Sequence, residues 1–568
     1  MSVYPDYPNP DLLDRIPLDA TSVLDVGCAS GALGYAFKRR NPSARYFGIE
    51  ADPDAAAIAR RRIDAVSSVD VEVEPCPFGD TTFDCIIYGD VLEHLRDPWT
   101  VLRKQAARLT PGGVVLICMP NAEHWSLAER LLRGTFDYED QGLFDRTHLR
   151  WFTPETTRRA LREAGLIPYD ISSRIFDAPA AHAFVRAMRP ALETLGIDPQ
   201  RYLDRATPLQ HVWRATTAPV QPMHLISSML APVGGVSHVR VVEPMAAIAT
   251  APGFVTRITE NIDIDDVPTD GPRIFIYHRP LLAGDRGLAV VRRMLDRGYV
   301  VVCEFDDHPD YIPVLQRPDV QNFRAVHAVQ TSTAPLAEVL RAQNPEVKVF
   351  PNAIARLPEV RNYATPGRMT LFFAGINRED EWPPYLDALN AVARLAGERL
   401  HFQIVADRGL FDALQTPHKN FTPLCDYETY QELLAKSEVS FMPLQDTPFN
   451  RCKSDLKFLE SSAHRVTSLA SPVVYAGSIE DGRTGILFRD PPELQQRLIR
   501  LVANPHLGRT MADAARGVIA GHRMLAYQLA DRVAWYRSLW ERREDLHRAL
   551  LARVPELAHP AEVLHAGR

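Results

Sequence analysis

The sequence predicts an α/β protein in which three parallel sheets, each flanked by helices, succeed one another along the chain. Three observations predict this. Short β-branched runs alternate with helical segments over three separate stretches, the pattern of a parallel sheet covered by helices. At 568 residues the chain exceeds what one hydrophobic core can organise, which implies three or four compact units. The alternation lapses between about residues 174 and 222, where prolines recur, and again at RNYATPGR, so these stretches separate the units.

In order, the first stretch offers the strands SVLDVG, RYFGIE, DVEVE, FDCIIYG and GVVLICMP, with helices over AAAIARRRIDAV and TVLRKQAARL, the latter ending at the Pro111-Gly112-Gly113 stop. Residues 174–222 read as a helical connector. The second stretch supplies MHLISSM, RIFIYH, YVVVCEFD, AVHAVQTS and KVFPN; the third supplies MTLFFAG, LHFQIVA, EVSFMPL and RVTSLAS and runs into Arg-, Leu- and Ala-rich helical material. The expected boundaries are 1–173, 174–222, 223–364, 365–525 and a helical tail over 526–568.

A net charge of -7 gives no basic footprint for nucleic acid. The seven cysteines are scattered, odd in number and never at zinc-finger or redox spacing, which favours a reducing compartment and hence the cytoplasm. The amino-terminal residues lack a signal-peptide pattern and no apolar run approaches bilayer-spanning length, so membrane contact is expected only as peripheral attachment.

LDVGCASGALG puts Asp25, Gly27, Ala29 and Gly31 at a strand-to-helix turn, where glycine allows a sharp bend and close approach of a ligand. The next strand ends in Glu50, a carboxylate suited to the two ribose hydroxyls of an adenosine. A nicotinamide dehydrogenase shares both features, but the turn lacks G-x-G-x-x-G. Asp25 to Gly31, Glu50, PFGDTTFD, DVLEHLRDP and LTPGG, in that order, resemble the class I S-adenosylmethionine-dependent methyltransferases, with Ala29 standing where that family usually has its middle glycine. The resemblance implies that Asp25 and the Gly27–Gly31 turn face the methionine part of the cofactor, Glu50 the ribose, and Glu72 or Glu74 the adenine side. A fold of this kind that has lost its activity is the plainer alternative.

Methyl transfer to a hydroxyl calls for a base near the acceptor oxygen, and histidine suits that work. His94 follows the fourth strand in GDVLEHL; His148 lies in LFDRTHLRWFT beside Asp145 and Arg146, a segment that resembles methyltransferases found beside sugar-polymer genes. Either histidine could equally cap a helix or orient a loop.

In the second half, Gly234 and Gly235 sit between a strand and a helix, as at a phosphate-binding or sugar-binding turn, although such pairs are also common plain turns. FNRCKSDLKFLESSAHRVTSLAS sets Lys453, Lys457 and Glu460 at helical spacings: cations for a diphosphate leaving group, a carboxylate for a ribose. With VGGVSHVR, HAVQTSTAPLAEVLRAQNPEVKVFPNAI, LFFAGINRED and DGRTGILF, these residues resemble a group 1 (family 4-like) glycosyltransferase of the GT-B fold over about residues 223–536. The resemblance implies that Arg378 and Lys453 contact the diphosphate, Glu460 the ribose, and the Gly234-Gly235 loop the donor or acceptor. Many members carry a second glutamate eight positions earlier; here that position is Cys452, and its work would fall to Asp455, to a residue of the other lobe, or to nothing.

Asp306, Asp307 and His308 in EFDDHPDY have the chemistry of metal ligands, but their place after a strand of the first lobe argues for an acceptor-side or catalytic contact, or for capping the next turn. No metal is expected in either half. The fold expected overall is thus a class I methyltransferase Rossmann-like domain followed by a GT-B glycosyltransferase of two Rossmann-like lobes. The expected chemistry is sugar transfer from a nucleotide sugar to a glycan, or to a lipid-linked glycan at the cytoplasmic membrane face, with S-adenosylmethionine-dependent O-methylation of a sugar hydroxyl. Two narrower expectations stand beside it: a glycosyltransferase with a methyltransferase-shaped docking module, or a methyltransferase whose GT-B half only recognises glycan.

Overall fold

The computed structural model describes residues 6–229, 234–260, 269–360, 367–376 and 378–558. The chain divides into two compact units, residues 1–221 with 249–253, and residues 222–248 with 254–568.

The first unit is built on β1 (Ser22–Val26), β2 (Arg45–Ile49), β3 (Ala65–Ser67), β4 (Phe83–Gly89), β5 (Leu109–Pro120), β6 (Ile167–Arg174) and β7 (Gln210–Thr216). Their order is β3-β2-β1-β4-β5-β7-β6, parallel except that β7 runs antiparallel to both neighbours. Four of the five residues of β1 are fully buried, as a strand covered on both faces requires. The strand order reverses between β1 and β4, which opens a crevice at their carboxyl ends.

Three expectations change here. Residues 174–222 are more than a connector: besides the helices Ala178–Thr194 and Pro199–Ala206 they contribute β7, wedged between β5 and β6. DVEVE is a turn, not a strand, because Asp70 accepts the amide of Glu72 on its side chain and those of Val73 and Glu74 on its carbonyl; Asx-turn chemistry outweighs the alternating valines, and Val73 is left 74% exposed. The helix expected over AAAIARRRIDAV stops at Ala59, and Ala65 and Val66 pair instead with Phe47 and Gly48 as β3.

The second unit holds two six-stranded sheets. One comprises β8 (Met223–Ser228), β9 (Phe254–Thr259), β10 (Arg273–His278), β11 (Val300–Glu304), β12 (Ala328–Thr331) and β13 (Val347–Val349), ordered β13-β12-β11-β10-β8-β9. The other comprises β14 (Met369–Ala374), β15 (Leu400–Val405), β16 (Lys419–Thr422), β17 (Val439–Met442), β18 (Thr467–Ala470) and β19 (Ile486–Leu487), ordered β16-β15-β14-β17-β18-β19. All pairings in both are parallel, so the unit is a pair of Rossmann-like lobes with the GT-B plan.

The carboxy-terminal helices are not a tail. Leu550, Val554 and Leu557 pack into the same apolar cluster as Phe275, Val291 and Leu336 of the amino lobe. The Tyr536 hydroxyl donates to Gln330 Oε1 on β12 at 2.6 Å. Among the described residues no helix is long and apolar enough to cross a membrane.

Candidate active sites

In the first unit the turn after β1 is tight. Gly27 and Gly31 have φ of +74° and +76°, and a Cβ on Gly27 would lie 2.4 Å from the Val91 side chain. Ala29 also sits at positive φ, +45°, a left-handed conformation that costs an alanine roughly 1 kcal/mol. The turn is held from the next strand: Ala29 N–H donates to Glu50 Oε2 at 2.8 Å and Asp52 N–H to Glu50 Oε1 at 2.9 Å. Glu50 is buried, and each of its carboxylate oxygens accepts one backbone amide.

Asp25 is buried at the end of β1, and burial pushes its carboxyl up to about 7 against the hydrogen bond from the Tyr46 hydroxyl at 2.9 Å. Sequence reasoning missed Tyr46, which looks like an ordinary core aromatic on β2. Tyr46→Phe leaves a buried carboxyl without its donor and is expected to lower unfolding free energy by about 1–2 kcal/mol, measurable in urea titration. Glu72 accepts the Asp97 amide at 2.7 Å.

His94 and His148 come together edge to face, with ring centroids 4.8 Å apart. The His148 Nδ1 lies 3.1 Å from the Leu143 carbonyl, and the His94 Nδ1 lies 2.9 Å from Thr147 Oγ1, whose hydroxyl donates to Asp145 Oδ1 at 2.6 Å. Both Nδ1 atoms are thus engaged as donors, which leaves the Nε2 lone pairs available. Burial and then the His94 charge lower the His148 pKa. Asp145 orients His94 through Thr147, while Arg146 pairs with Asp140 at 2.6 Å. Below the rings lies Glu93, 2% exposed, with neither carboxylate oxygen hydrogen-bonded, and burial drives its carboxyl well upward. Sequence reasoning passed over Glu93 although it adjoins His94. Beside the pair stands a group of aromatic rings: Trp151 lies 6.0 Å from His148 and 5.8 Å from Phe136, which contacts Phe144 and Tyr138.

In the second unit Lys457 donates to the Ala374 carbonyl at 2.6 Å where β14 ends. Burial, and then the nearby Arg378 charge, lower its ammonium to about 8, with Lys453 adding to the effect. Lys457 thus lies close enough to Arg378 and Lys453 to feel both charges. Arg378 makes long contacts of 3.5 Å to Glu381 and Asn450, and a Cβ on Gly375 would meet its side chain at 2.6 Å. Arg451, two residues before Lys453, is an exposed partner of Asp446.

Glu460 is 3% exposed and accepts from the Tyr427 hydroxyl (2.8 Å), the Tyr430 hydroxyl (2.8 Å) and Gln431 Nε2 (3.0 Å). These donors, from the helix Tyr427–Ala435, gave no signal in the sequence. Tyr427 stacks on His238 at 4.9 Å, and a Cβ on Gly235 would strike its ring at 2.8 Å, so the glycine permits the two lobes' close approach. Gly234 begins the short helix Gly234–Ser237.

The acidic run resolves into ion pairs. Asp306 accepts from Arg279 Nε at 2.7 Å; Asp307 accepts from Arg279 Nη2 at 2.8 Å and from Lys453 Nζ at 2.7 Å, linking the lobes. The Nδ1 of His308 caps the following turn by accepting the Asp310 amide at 3.3 Å. Cys452 is buried within the amino lobe's apolar cluster. Asp455, the candidate for the absent glutamate's place, is held by Arg523 bidentately at 2.7 and 2.9 Å and by Ser478, which donates to it at 2.6 Å.

A family profile described as a methyltransferase domain matches residues 6–168. Among curated proteins, an uncharacterised 37.1 kDa protein of a Streptomyces fradiae transposon is 29% identical over 202 residues, 34% of this chain and 54% of that one. A ubiquinone biosynthesis O-methyltransferase of Xanthomonas campestris is 29% identical over 191 residues, 30% of this chain and 74% of that one. The chain thus spans about half the length of the first of these relatives. Among solved structures, a SAM-dependent methyltransferase from Archaeoglobus fulgidus aligns with a TM-score of 0.25 at 17% identity, over 36% of this chain and 90% of its own. S. aureus TarM, crystallised as a mutant with fondaparinux, α-GlcNAc-glycerol and UDP, aligns with a TM-score of 0.36 at 11% identity, over 46% of this chain and 55% of its own. Residues 6–168 are thus similar to a methyltransferase domain.

Proposed function

We propose that the chain is a bifunctional transferase: it O-methylates a sugar hydroxyl with S-adenosylmethionine in its first unit and transfers a sugar from a nucleoside diphosphate donor in its second. The observation that carries this reading is that each half gathers its ligand-type residues at a switch point of its own parallel sheet. Glu50 and the Gly27–Gly31 turn stand at one; Arg378, Lys453 and Lys457 stand at another.

Glu50 would retain the amides of Ala29 and Asp52 while its remaining lone pairs accept the ribose hydroxyls. His94 and His148, half-buried beside Trp151 and Phe136, would activate the acceptor hydroxyl as the aromatic rings hold its apolar face. The name of the Xanthomonas relative supports oxygen as the atom methylated. In the second unit the converging cations would neutralise the diphosphate as it departs. The acceptor would be a glycan or lipid-linked glycan, and the setting bacterial surface-polysaccharide assembly at the cytoplasmic face of the membrane.

A second reading, in which the GT-B half binds glycan without turnover, is favoured by one observation: Cys452 is buried and Asp455 is committed to Arg523. Calorimetry on the full chain with S-adenosylhomocysteine and with uridine, guanosine and thymidine diphosphates tests the proposal. One site for each ligand class is expected. Failure of every nucleotide would remove the transferase role of the second unit, and failure of S-adenosylhomocysteine would reduce the first to a docking module. If a nucleotide binds but its sugar is neither transferred nor hydrolysed, the second reading replaces the first.

A further inference from the structure

The geometry points to a divalent transition-metal site formed by Glu93, His94 and His148 in the first unit, serving to bind and acidify the acceptor hydroxyl. This rests on the methyltransfer reading and gives the histidine pair its chemistry, where the sequence led to an expectation of no metal.

One ligand atom from each of the three residues lies within 4.8 Å of the other two. An ion equidistant from atoms so spaced sits roughly 2.8 Å or less from each, and side-chain rotations of under about 1 Å bring them to the ~2.0–2.2 Å of imidazole and carboxylate ligation. Glu93 is the independent sign of a ligand: it is 2% exposed, and neither of its oxygens has a hydrogen-bond partner. A carboxylate left so is costly unless something cationic completes it.

The surroundings of the histidines match those of metal ligands. Such imidazoles give their other ring N–H to a carbonyl or to a chain ending in a carboxylate, which fixes the tautomer. His148 Nδ1 meets the Leu143 carbonyl at 3.1 Å; His94 Nδ1 meets Thr147 Oγ1 at 2.9 Å, and that hydroxyl donates a hydrogen bond to Asp145 at 2.6 Å. Asp145 is accordingly a positioning residue. Two imidazoles with one carboxylate suit zinc, iron, cobalt or nickel better than magnesium or calcium, and three protein ligands leave positions open for substrate. The acidic run at Asp306, Asp307 and His308 forms no comparable group, its carboxylates being taken by Arg279 and Lys453.

With the acceptor oxygen on the ion, its O–H proton passes to water. The oxygen lone pair then forms the new O–CH₃ bond while the S–CH₃ bond of the sulfonium breaks, its electron pair remaining on sulfur as S-adenosylhomocysteine is produced.

Titration of the full chain with Co²⁺, read by visible d–d absorption and by metal content after gel filtration, is expected to give one ion per chain. Glu93→Gln and His94→Ala should each weaken it by more than ~100-fold, and Asp145→Asn more modestly. Calorimetry with S-adenosylhomocysteine on the same samples should show the cofactor site unchanged, which also verifies that the variants are folded. Absence of saturable Co²⁺ binding, or binding that Glu93→Gln and His94→Ala leave intact, would overturn the site. Loss of S-adenosylhomocysteine binding in the wild-type chain with Co²⁺ still bound would sink the methyltransfer reading instead.

Discussion

Glu50→Ala is expected to weaken S-adenosylhomocysteine binding by at least ~100-fold in calorimetry, because two ribose hydroxyls lose a charged acceptor worth about 1.5–3 kcal/mol per hydrogen bond. The loss has a second source. Glu50 also holds the amides of Ala29 and Asp52, and without it Ala29, at a φ of +45°, has no partner to keep it in an unfavourable conformation. The turn should relax even in the unliganded protein. Glu50→Gln separates the two contributions, since its amide carbonyl still accepts the Ala29 N–H while one acceptor oxygen is gone; an intermediate affinity is expected. Unchanged affinity in Glu50→Ala would remove the adenosine from this crevice.

Lys457→Met is expected to trade binding for stability. Burial and Arg378 hold the ammonium at about 8, against an ordinary value of 10.5, so the folded protein carries this charge at neutral pH at a cost. A tenfold loss of proton affinity corresponds to about 1.4 kcal/mol; after allowing roughly 1 kcal/mol for the Ala374 carbonyl left unpaired, the variant should gain about 2 kcal/mol at pH 7. The sign follows from proton linkage. Between about 8 and 10.5 the unfolded chain binds the proton that the folded one has released, so wild-type stability rises with pH across that window. The variant's advantage is therefore complete below pH 8 and gone by pH 10.5, which denaturant titrations across the range would reveal. Nucleoside diphosphate affinity should fall by ~30- to 100-fold with the loss of one charge-assisted hydrogen bond. A variant with full affinity and no gain in stability would mean that Lys457 faces neither an anion nor a desolvated site.

The parallel strands were legible because strands covered on both faces must be written in apolar residues, and the turns at their carboxyl ends followed from that. What sequence could not reveal is pairing. Lys453 carries a charge suited to phosphate, but its Nζ lies 2.7 Å from Asp307, a residue 146 positions away, so the two candidate sites drawn separately are one electrostatic group. Glu460 likewise has the right type and spacing, yet the Tyr427 and Tyr430 hydroxyls that engage it come from a helix with no distinguishing pattern. DVEVE failed for a local reason, since an aspartate side chain captured the backbone that a strand would have needed. Strand β7 escaped notice because its partners, β5 and β6, lie far along the chain.

The return of the last helices to the amino lobe has a mechanical consequence. Leu550, Val554 and Leu557 complete the cluster containing Phe275, and Tyr536 is anchored on Gln330, so the amino lobe's packing is finished by the last helices of the chain. A protein shortened after residue 525 would leave a greasy scar on the lobe it abandoned, and neither lobe can be harvested as an autonomous piece by a single cut.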